Sequence, residues 1–173
     1  MELLEIYNDN NEPLNKSYDR DKIHDEGLWH REILVIIINN KNQVLLQKRS
    51  YKRRHLPGKW ALCAGHVISG YTEKATAVKE LKEELGIDAL QKELNFIGIY
   101  KKGDPTNKKF SYIYIIRTDK KISEIKIQKE ELTNVKYVSI KKVLKMIKSK
   151  DKHIAFADEF HLNLFTEIAN NII

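Results

Sequence analysis

The chain has 173 residues, which is enough for one domain with a substantial hydrophobic core. Its formal net charge is +7, and this favours polyanionic partners only weakly because the lysines are spread along the sequence. No apolar run approaches the roughly 20 residues needed to span a bilayer, and the N-terminal segment lacks the basic-then-apolar pattern of a signal peptide. We therefore expect a cytoplasmic protein that does not enter membranes.

The cysteine content limits the possible disulfides and metal sites, and the charge pattern bears on nucleic-acid binding. The single cysteine, Cys63, allows neither an internal disulfide nor a cysteine-based zinc site, so that any metal is held by oxygen or histidine. Basic runs such as QKRSYKRRH have no alternating aromatic residues on which bases would stack. Nucleic acid is therefore disfavoured as a partner without being excluded, and the sequence leaves a homodimer open.

The first half of the chain predicts three strands and a helix. Apolar runs indicate strands at 33–39 and 44–49, joined by the polar turn NNKNQ. A turn at Pro57 and Gly58 leads to a short strand around 61–64. A helix is predicted from Thr72 to Leu85, with Gly86 where a C-terminal cap is expected.

The second half continues the alternation of strands and helices. Strands are predicted at 95–100, 110–118 and 134–140, and helices at 140–149 and 157–172. No internal repeat, linker or domain boundary is evident, so we expect a single α/β domain over residues 1–173.

The helix from Thr72 to Leu85 has two chemically different sides. Apolar residues at three- and four-residue intervals predict a buried stripe of Ala75, Val78, Leu81 and Leu85. Three glutamates at i, i+3 and i+4 should then converge on the solvent-facing side: Glu80, Glu83 and Glu84. A divalent cation would offset their repulsion, because hard ions prefer carboxylate oxygens. The alternative is an exposed helix whose glutamates pair with the interleaved lysines.

This helix and the glycine before it resemble the Nudix box, G-x5-E-x7-R-E-U-x-E-E-x-G-U, in which U is aliphatic. The residues in register are Gly65, Glu80, Leu81, Glu83, Glu84, Gly86 and Ile87. Tyr71 and Lys79 stand where the pattern has Glu and Arg. The hairpin, the PGKW turn and the NVKYVSI segment extend the resemblance over most of residues 29–140. It implies the Nudix fold, an α/β/α sandwich with a mixed β-sheet.

The resemblance implies a hydrolase that cleaves a diphosphate linkage in a nucleoside-diphosphate-X or related small molecule. Glu80, Glu83 and Glu84 are then the catalytic metal ligands for Mg²⁺, with Mn²⁺ as the other candidate. Glu80 is either a further ligand or the base that acts on water. The remaining residues assigned to substrate binding are Gly65, His66, Arg49 and Arg54. The group X cannot be read from the sequence, because variable loops recognise it.

Two pairs of residues besides the three glutamates bear on the site. Glu130 and Glu131 lie in a late loop where some Nudix enzymes place an additional base or ligand, but a charged surface loop is the alternative. We interpret Tyr71 and Lys79 as paired structural substitutions on an active site, with Tyr71 packed over the loop or the substrate entrance and Lys79 beside Glu83. Glu73 lies well around the helix from Lys79 and is not expected to pair with it.

Within the family, the sequence looks like the branch that also contains isopentenyl-diphosphate isomerase. His24, His30 and His66 lie near the positions where that isomerase keeps metal-binding histidines. However, Ala64 occupies the place of its catalytic cysteine, and Cys63, one residue earlier, should face the opposite side of the strand and be buried.

Further features bear on the choice between a hydrolase and an isomerase. The segment FSYIYIIRT lacks the isomerase's two later glutamates, and His30 has the simpler alternative of bonding a backbone carbonyl. A non-catalytic Nudix module that binds a nucleotide or an RNA end is a third interpretation, which the intact glutamate set opposes. The sequence therefore favours a hydrolase over both alternatives.

Overall fold

The structure, a computed structural model, describes residues 2–172. The chain divides into two compact units. The first comprises Met1–Val35, Ala64–Leu81 and Asp88–Ile115, and the second comprises Ile36–Cys63, Lys82–Ile87 and Ile116–Ile173. The single domain over residues 1–173 stays a prediction.

An N-terminal hairpin and a short helix, neither of which was predicted, belong to the first unit. Strand β1 (Leu3–Tyr7) pairs antiparallel with β2 (Pro13–Asp19), and helix α1 (Arg20–Asp25) follows directly. Asp19 caps α1 by accepting a 3.0 Å hydrogen bond from the backbone nitrogen of Lys22. The apolar signal was weak because β2 is mostly exposed, and the small core here contains only Leu4, Ile6 and Ile23 as buried residues.

The main sheet has seven strands, in the order β5-β4-β3-β8-β7, with β6 paired to β3 and β9 to β4. The strands are β3 (His30–Ile38), β4 (Gln43–Arg49), β5 (Trp60–Ala61), β6 (Cys63–His66), β7 (Asn95–Asp104), β8 (Asn107–Arg117) and β9 (Leu132–Ser139). Every predicted strand occurs, although the one expected around 61–64 is split into β5 and β6 at Leu62. Antiparallel pairing joins β3 to β4, β4 to β9 and β7 to β8.

Strand β3 has the burial that its sequence predicts. From Ile33 to Ile38 every side chain is at most 7% exposed. A strand that is covered on both faces needs a continuous apolar run rather than an alternating one, and the sequence ILVIII supplies it.

The remaining regular elements are three longer helices and two short 3₁₀ segments. The helices are α2 (Glu73–Leu85), α3 (Ile140–Lys148) and α4 (Glu159–Ile172), and the 3₁₀ segments are Gln91–Glu93 and Ile122–Glu124. Helix α2 ends at the predicted position, because Gly86 adopts a φ of +61° that L-residues with a side chain rarely take. Within residues 2–172, no helix has the length and apolar character needed to cross a bilayer.

The buried side of α2 differs from the predicted stripe. Leu81 and Leu85 are fully buried, as predicted, but Ala75 and Val78 are only half-buried. Ala77, with 0% exposure, takes their place, and Glu84 is buried beside Leu85. The helix is thus rotated relative to the predicted orientation, and this rotation carries Glu84 into the protein interior.

Candidate active site

Glu84 lies in the second unit as a buried carboxylate, not on the solvent-facing side of α2 as predicted. Its relative exposure is 8%, and its Oε2 accepts a 2.7 Å hydrogen bond from Nε2 of Gln47, a residue of β4 that is itself 3% exposed. Burial raises the pKa of Glu84 and the neighbouring Glu131 adds to the effect, while the Gln47 hydrogen bond and two arginines oppose it. The side chain is therefore held in one place.

Backbone contacts fix the C-terminal turn of α2 in the same unit. The carbonyl of Glu84 accepts from the backbone nitrogen of Gln128 at 3.0 Å, and that of Leu85 accepts from Lys126 at 3.1 Å. These bonds satisfy carbonyls that the end of a helix leaves without intrahelical partners. Oε1 of Gln47, by contrast, is buried and has no hydrogen-bond partner within residues 2–172.

Three charged side chains act on Glu84: Arg49 at the end of β4, Arg53 in the loop that follows it, and Glu131 in the loop before β9. Arg53 forms a half-buried ion pair with Glu131 at 2.5 Å, and the carbonyl of Glu131 accepts a 2.7 Å bond from the backbone nitrogen of Ser50. Arg49, whose Nε donates to the carbonyl of His55 at 3.0 Å, acts electrostatically on Glu84 together with Arg53. Glu131 is thus ion-paired with a basic residue near Glu84.

Of the two arginines that the sequence assigned to substrate binding, Arg49 lies in this electrostatic environment, whereas Arg54 is exposed. Arg53 belongs to the same basic run before the PGKW turn, whereas Gln47 was not assigned. No local pattern could have indicated Gln47, because it lies 37 residues from Glu84.

Glu80 packs against the box glycine in the first unit. A Cβ atom built on Gly65 would lie only 2.6 Å from Cδ of Glu80, far inside van der Waals contact. The absence of a side chain at Gly65 therefore leaves room for the carboxyl group of Glu80, one of the predicted metal ligands. Glu80 is half-buried and Glu83 is exposed, so the three glutamates of α2 have three different environments.

The convergence of these carboxylates stays a prediction. Among residues 2–172, the one group of three or more His, Cys, Asp or Glu side chains whose ligand atoms all lie within 4.8 Å of one another is that of His24, His30 and His66. The donor set still fits a hard divalent cation, since it consists of carboxylate oxygens on one helix and one of them is already desolvated.

The three-histidine cluster lies in the first unit, where α1, β3 and β6 each contribute one residue. The ring centroids are 5.2 to 5.5 Å apart. Nδ1 of His30 lies 3.1 Å from the carbonyl of Leu28, so the predicted backbone bond of His30 is confirmed. A carbonyl can only accept, so this nitrogen carries the proton and Nε2 carries the lone pair.

The environment of the cluster keeps two of its rings, those of His30 and His66, neutral. Nε2 of His30 is buried without a hydrogen-bond partner in the described part of the chain. Burial lowers the pKa of His30 to about 4, and burial together with the adjacent His30 ring lowers the pKa of His66 well below its ordinary value. Neutral imidazoles with a free lone pair are the form that binds transition metals. His66 was assigned to substrate binding, and His24 and His30 were not assigned to the site.

The burial predicted for Cys63 is confirmed. Cys63 is 2% exposed, and Ala64, the next residue, is exposed. The side chains of neighbouring strand residues point to opposite faces, which explains the contrast. The position that corresponds to the isomerase cysteine therefore carries a methyl group.

Comparison with known proteins agrees with this architecture. The NUDIX domain model matches residues 28–159. An uncharacterised Nudix hydrolase of Listeria innocua is 31% identical over 173 residues, which cover 98% of this chain and 96% of that protein. An isopentenyl-diphosphate Delta-isomerase of Photorhabdus laumondii is 31% identical over 150 residues, covering 84% of this chain and 82% of the isomerase.

A solved structure shows the same fold. The crystal structure of DR0079 from Deinococcus radiodurans has a TM-score of 0.74 at 19% identity, covering 96% of this chain and 98% of that chain. The predicted α/β fold with a mixed sheet is thereby confirmed. The family match and these relatives show that the chain belongs to the Nudix hydrolase family, whose members are named as hydrolases.

Proposed function

We propose that this protein is a cytoplasmic, Mg²⁺-dependent hydrolase of a nucleoside-diphosphate-X or related diphosphate, in which Glu80, Glu83 and Glu84 hold the metal and Mn²⁺ can replace Mg²⁺. The observation that carries the proposal is the buried carboxylate of Glu84, held by Gln47 beside Arg49 and Arg53. A buried charge of this kind is costly unless a cation or a set of hydrogen bonds compensates it. The family as a whole uses divalent ions, which supports such a cation here.

The bound ion would polarise phosphate oxygens and acidify the attacking water. The chain's own residues have separate tasks. Gln47 fixes the orientation of Glu84, and Gly65 leaves room for the carboxylate of Glu80. Arg49 and Arg54 would neutralise substrate phosphate, since one guanidinium group can donate two parallel hydrogen bonds to a phosphate group.

His66 and Glu131 complete the proposed set. His66 follows the box glycine on β6 and would contact the substrate in its neutral form. Glu131 keeps Arg53 in place through the 2.5 Å ion pair, and in doing so limits the freedom of the basic loop. When substrate phosphate binds, Arg53 can exchange one anionic partner for another.

The test is a panel of nucleoside-diphosphate sugars, dinucleoside polyphosphates and prenyl diphosphates, incubated with Mg²⁺ or Mn²⁺ while phosphate-containing products are separated and measured. We expect hydrolysis of at least one compound that stops when EDTA is added. Glu84→Gln is the matched control for contaminating phosphatases, because only hydrolysis by this site disappears with it. Absence of metal-dependent turnover across the panel would contradict the proposal and favour a binding module.

The histidine cluster supports a second candidate, an isomerase-like metal centre that binds Zn²⁺ or Mn²⁺ at His24, His30 and His66. The lone pair on the buried Nε2 of His30 and the 4.8 Å grouping favour it. Zn²⁺ stoichiometry measured in the parent and in His30→Gln tests the binding. Conversion of isopentenyl to dimethylallyl diphosphate by the parent would establish the isomerase reaction, and the methyl group at Ala64 and the burial of Cys63 oppose that result.

A further inference from the structure

Arg31, on β3 in the first unit, has an unusually complete set of contacts. Its Nε and one terminal nitrogen donate to the side-chain oxygen and the backbone carbonyl of Asn11, both at 2.8 Å. The other terminal nitrogen donates to Oε1 of Glu73 at 2.8 Å. The guanidinium carbon lies 3.9 Å from the ring centroid of Tyr7 and 5.3 Å from that of Tyr112.

These contacts make the Arg31–Glu73 pair different from an ordinary surface ion pair. Both side chains are only 19% exposed, whereas those of the Lys22–Glu26 pair at the C-terminal end of α1 are 41% and 53% exposed. Exposed pairs contribute little because solvent and side-chain mobility weaken them. A guanidinium that is stacked on a ring and bonded through three nitrogens has one orientation, and it imposes that orientation on its carboxylate partner.

Glu73 is the first residue of α2 and therefore transmits this orientation to the helix. Glu80, in the same unit, follows it by seven residues, which in a helix means about 20° around the axis and about 10 Å along it. The two side chains thus project from nearly the same side. Glu80 has little freedom to adjust, since its carboxyl group fills the space beside Gly65.

The sequence at the box supplies a reason for such a contact. In the usual pattern the Glu and Arg that Tyr71 and Lys79 replace can hold the helix against its preceding loop. Tyr71 is 50% exposed here and has no carboxylate with which to make that contact. Arg31 lies outside the box, so its bond to Glu73 anchors the helix independently of positions 71 and 79.

We propose that Arg31 and Glu73 form the positioning pair of this enzyme, which sets the rotation and axial position of α2 and thereby places Glu80 for metal binding. The proposal rests on the proposed function at the glutamates. Neither residue touches substrate or metal in it. Both act through the helix.

The experiment compares Glu73→Ala with Glu73→Gln. The first removes the hydrogen-bond acceptor, and the second keeps an acceptor oxygen on a side chain of the same length. Glu26→Ala is the matched control, because it removes an ion pair between α1 and the residue that follows it. All assays are run at least 20 °C below the melting temperature of each variant, so that only folded protein is compared. Mn²⁺ affinity is measured from the electron paramagnetic resonance signal of free Mn²⁺, without substrate.

For Glu73→Ala we expect a Mn²⁺ dissociation constant raised at least fivefold and a kcat lowered at least tenfold, with KM changed less than threefold. Glu73→Gln should recover most of both, and Glu26→Ala should match the parent. Glu73→Ala with parental Mn²⁺ affinity and kcat would overturn the proposal and make the pair merely structural. If the parent itself neither binds Mn²⁺ nor hydrolyses any diphosphate, the proposed function is wrong and the positioning role falls with it.

Discussion

Nε2 of Gln47 donates a 2.7 Å hydrogen bond to Oε2 of Glu84, and both side chains are buried. The bond joins strand β4 to the last turn of α2, so the sheet determines where this carboxylate points. Glu84 is thus part of the interior and of the proposed metal site at once. Substitutions here should separate stability from activity.

Glu84→Gln should lower hydrolysis by at least about a hundredfold, which corresponds to roughly 2.7 kcal/mol of transition-state stabilisation. The melting temperature should stay the same or rise. The introduced amide removes a desolvated charge and can donate to Oε1 of Gln47, which has no partner in the described part of the chain. Steady-state kinetics and calorimetry check the two effects. Glu130→Gln, at an exposed position, should change neither, and a destabilised Glu84→Gln would contradict the hydrogen-bond argument.

Gly65→Ala should displace the carboxyl group of Glu80, because the new methyl group would lie 2.6 Å from its Cδ. The displaced atoms are the end of a flexible side chain, so the melting temperature should fall only slightly. The cost should appear as a weaker response to metal, with several-fold more Mg²⁺ needed for half-maximal activity. Gly98→Ala, where a Cβ would meet nothing within 4 Å, is the control. An unchanged Mg²⁺ dependence in Gly65→Ala would show that Glu80 is not a ligand.

Cys63→Ala should retain hydrolysis within a few-fold, since the thiol is buried and takes no part in the proposed chemistry. Loss of the sulfur leaves a small cavity and should lower the free energy of unfolding by about 1 kcal/mol. Urea unfolding and the diphosphate assay test the two effects separately. Isomerisation of isopentenyl diphosphate that is present in the parent and abolished by this substitution would reverse our ranking of the two functions.

Folding stability should fall as the pH is lowered from about 6.5 to about 4, with His30 as one cause. Its pKa is about 4 in the folded protein, so in this window the unfolded chain takes up a proton that the folded chain does not. The contribution of His30 to stability is complete at a pH above its pKa in the unfolded chain, about 6.5. It is lost as the pH falls towards its pKa in the folded protein, about 4. For one histidine the slope is at most about 1.4 kcal/mol per pH unit.

Urea unfolding at pH 7, 6 and 5 in the presence of EDTA measures this slope. His30→Gln removes the titrating group, and its stability should depend less steeply on pH across the same interval. Parent and variant are measured in the same buffers, so that the difference between the two slopes is the effect of the substitution. Parallel curves for the parent and His30→Gln would show that the ring is not buried as a neutral group.

The local elements and the family could be predicted from the sequence alone. Strand β3 follows from its continuous apolar run, and the end of α2 follows from Gly86, because hydrophobic period and backbone conformation depend on near neighbours. The Nudix box could be identified for the same reason, because it is a pattern of spacing between residues that are near in sequence. The burial of Cys63 next to an exposed Ala64 needed only the two-residue period of a strand.

The tertiary structure decided which chemical groups meet. Periodicity placed Glu84 on a polar helix face, but its environment depends on Gln47, which lies 37 residues away. Arg31 and Glu73 are 42 residues apart, and no rule of local spacing relates them. The three histidines come from α1, β3 and β6, so that only the folded chain brings their ligand atoms within 4.8 Å. Local sequence determines the elements, whereas the burial and charge of a site depend on how those elements pack.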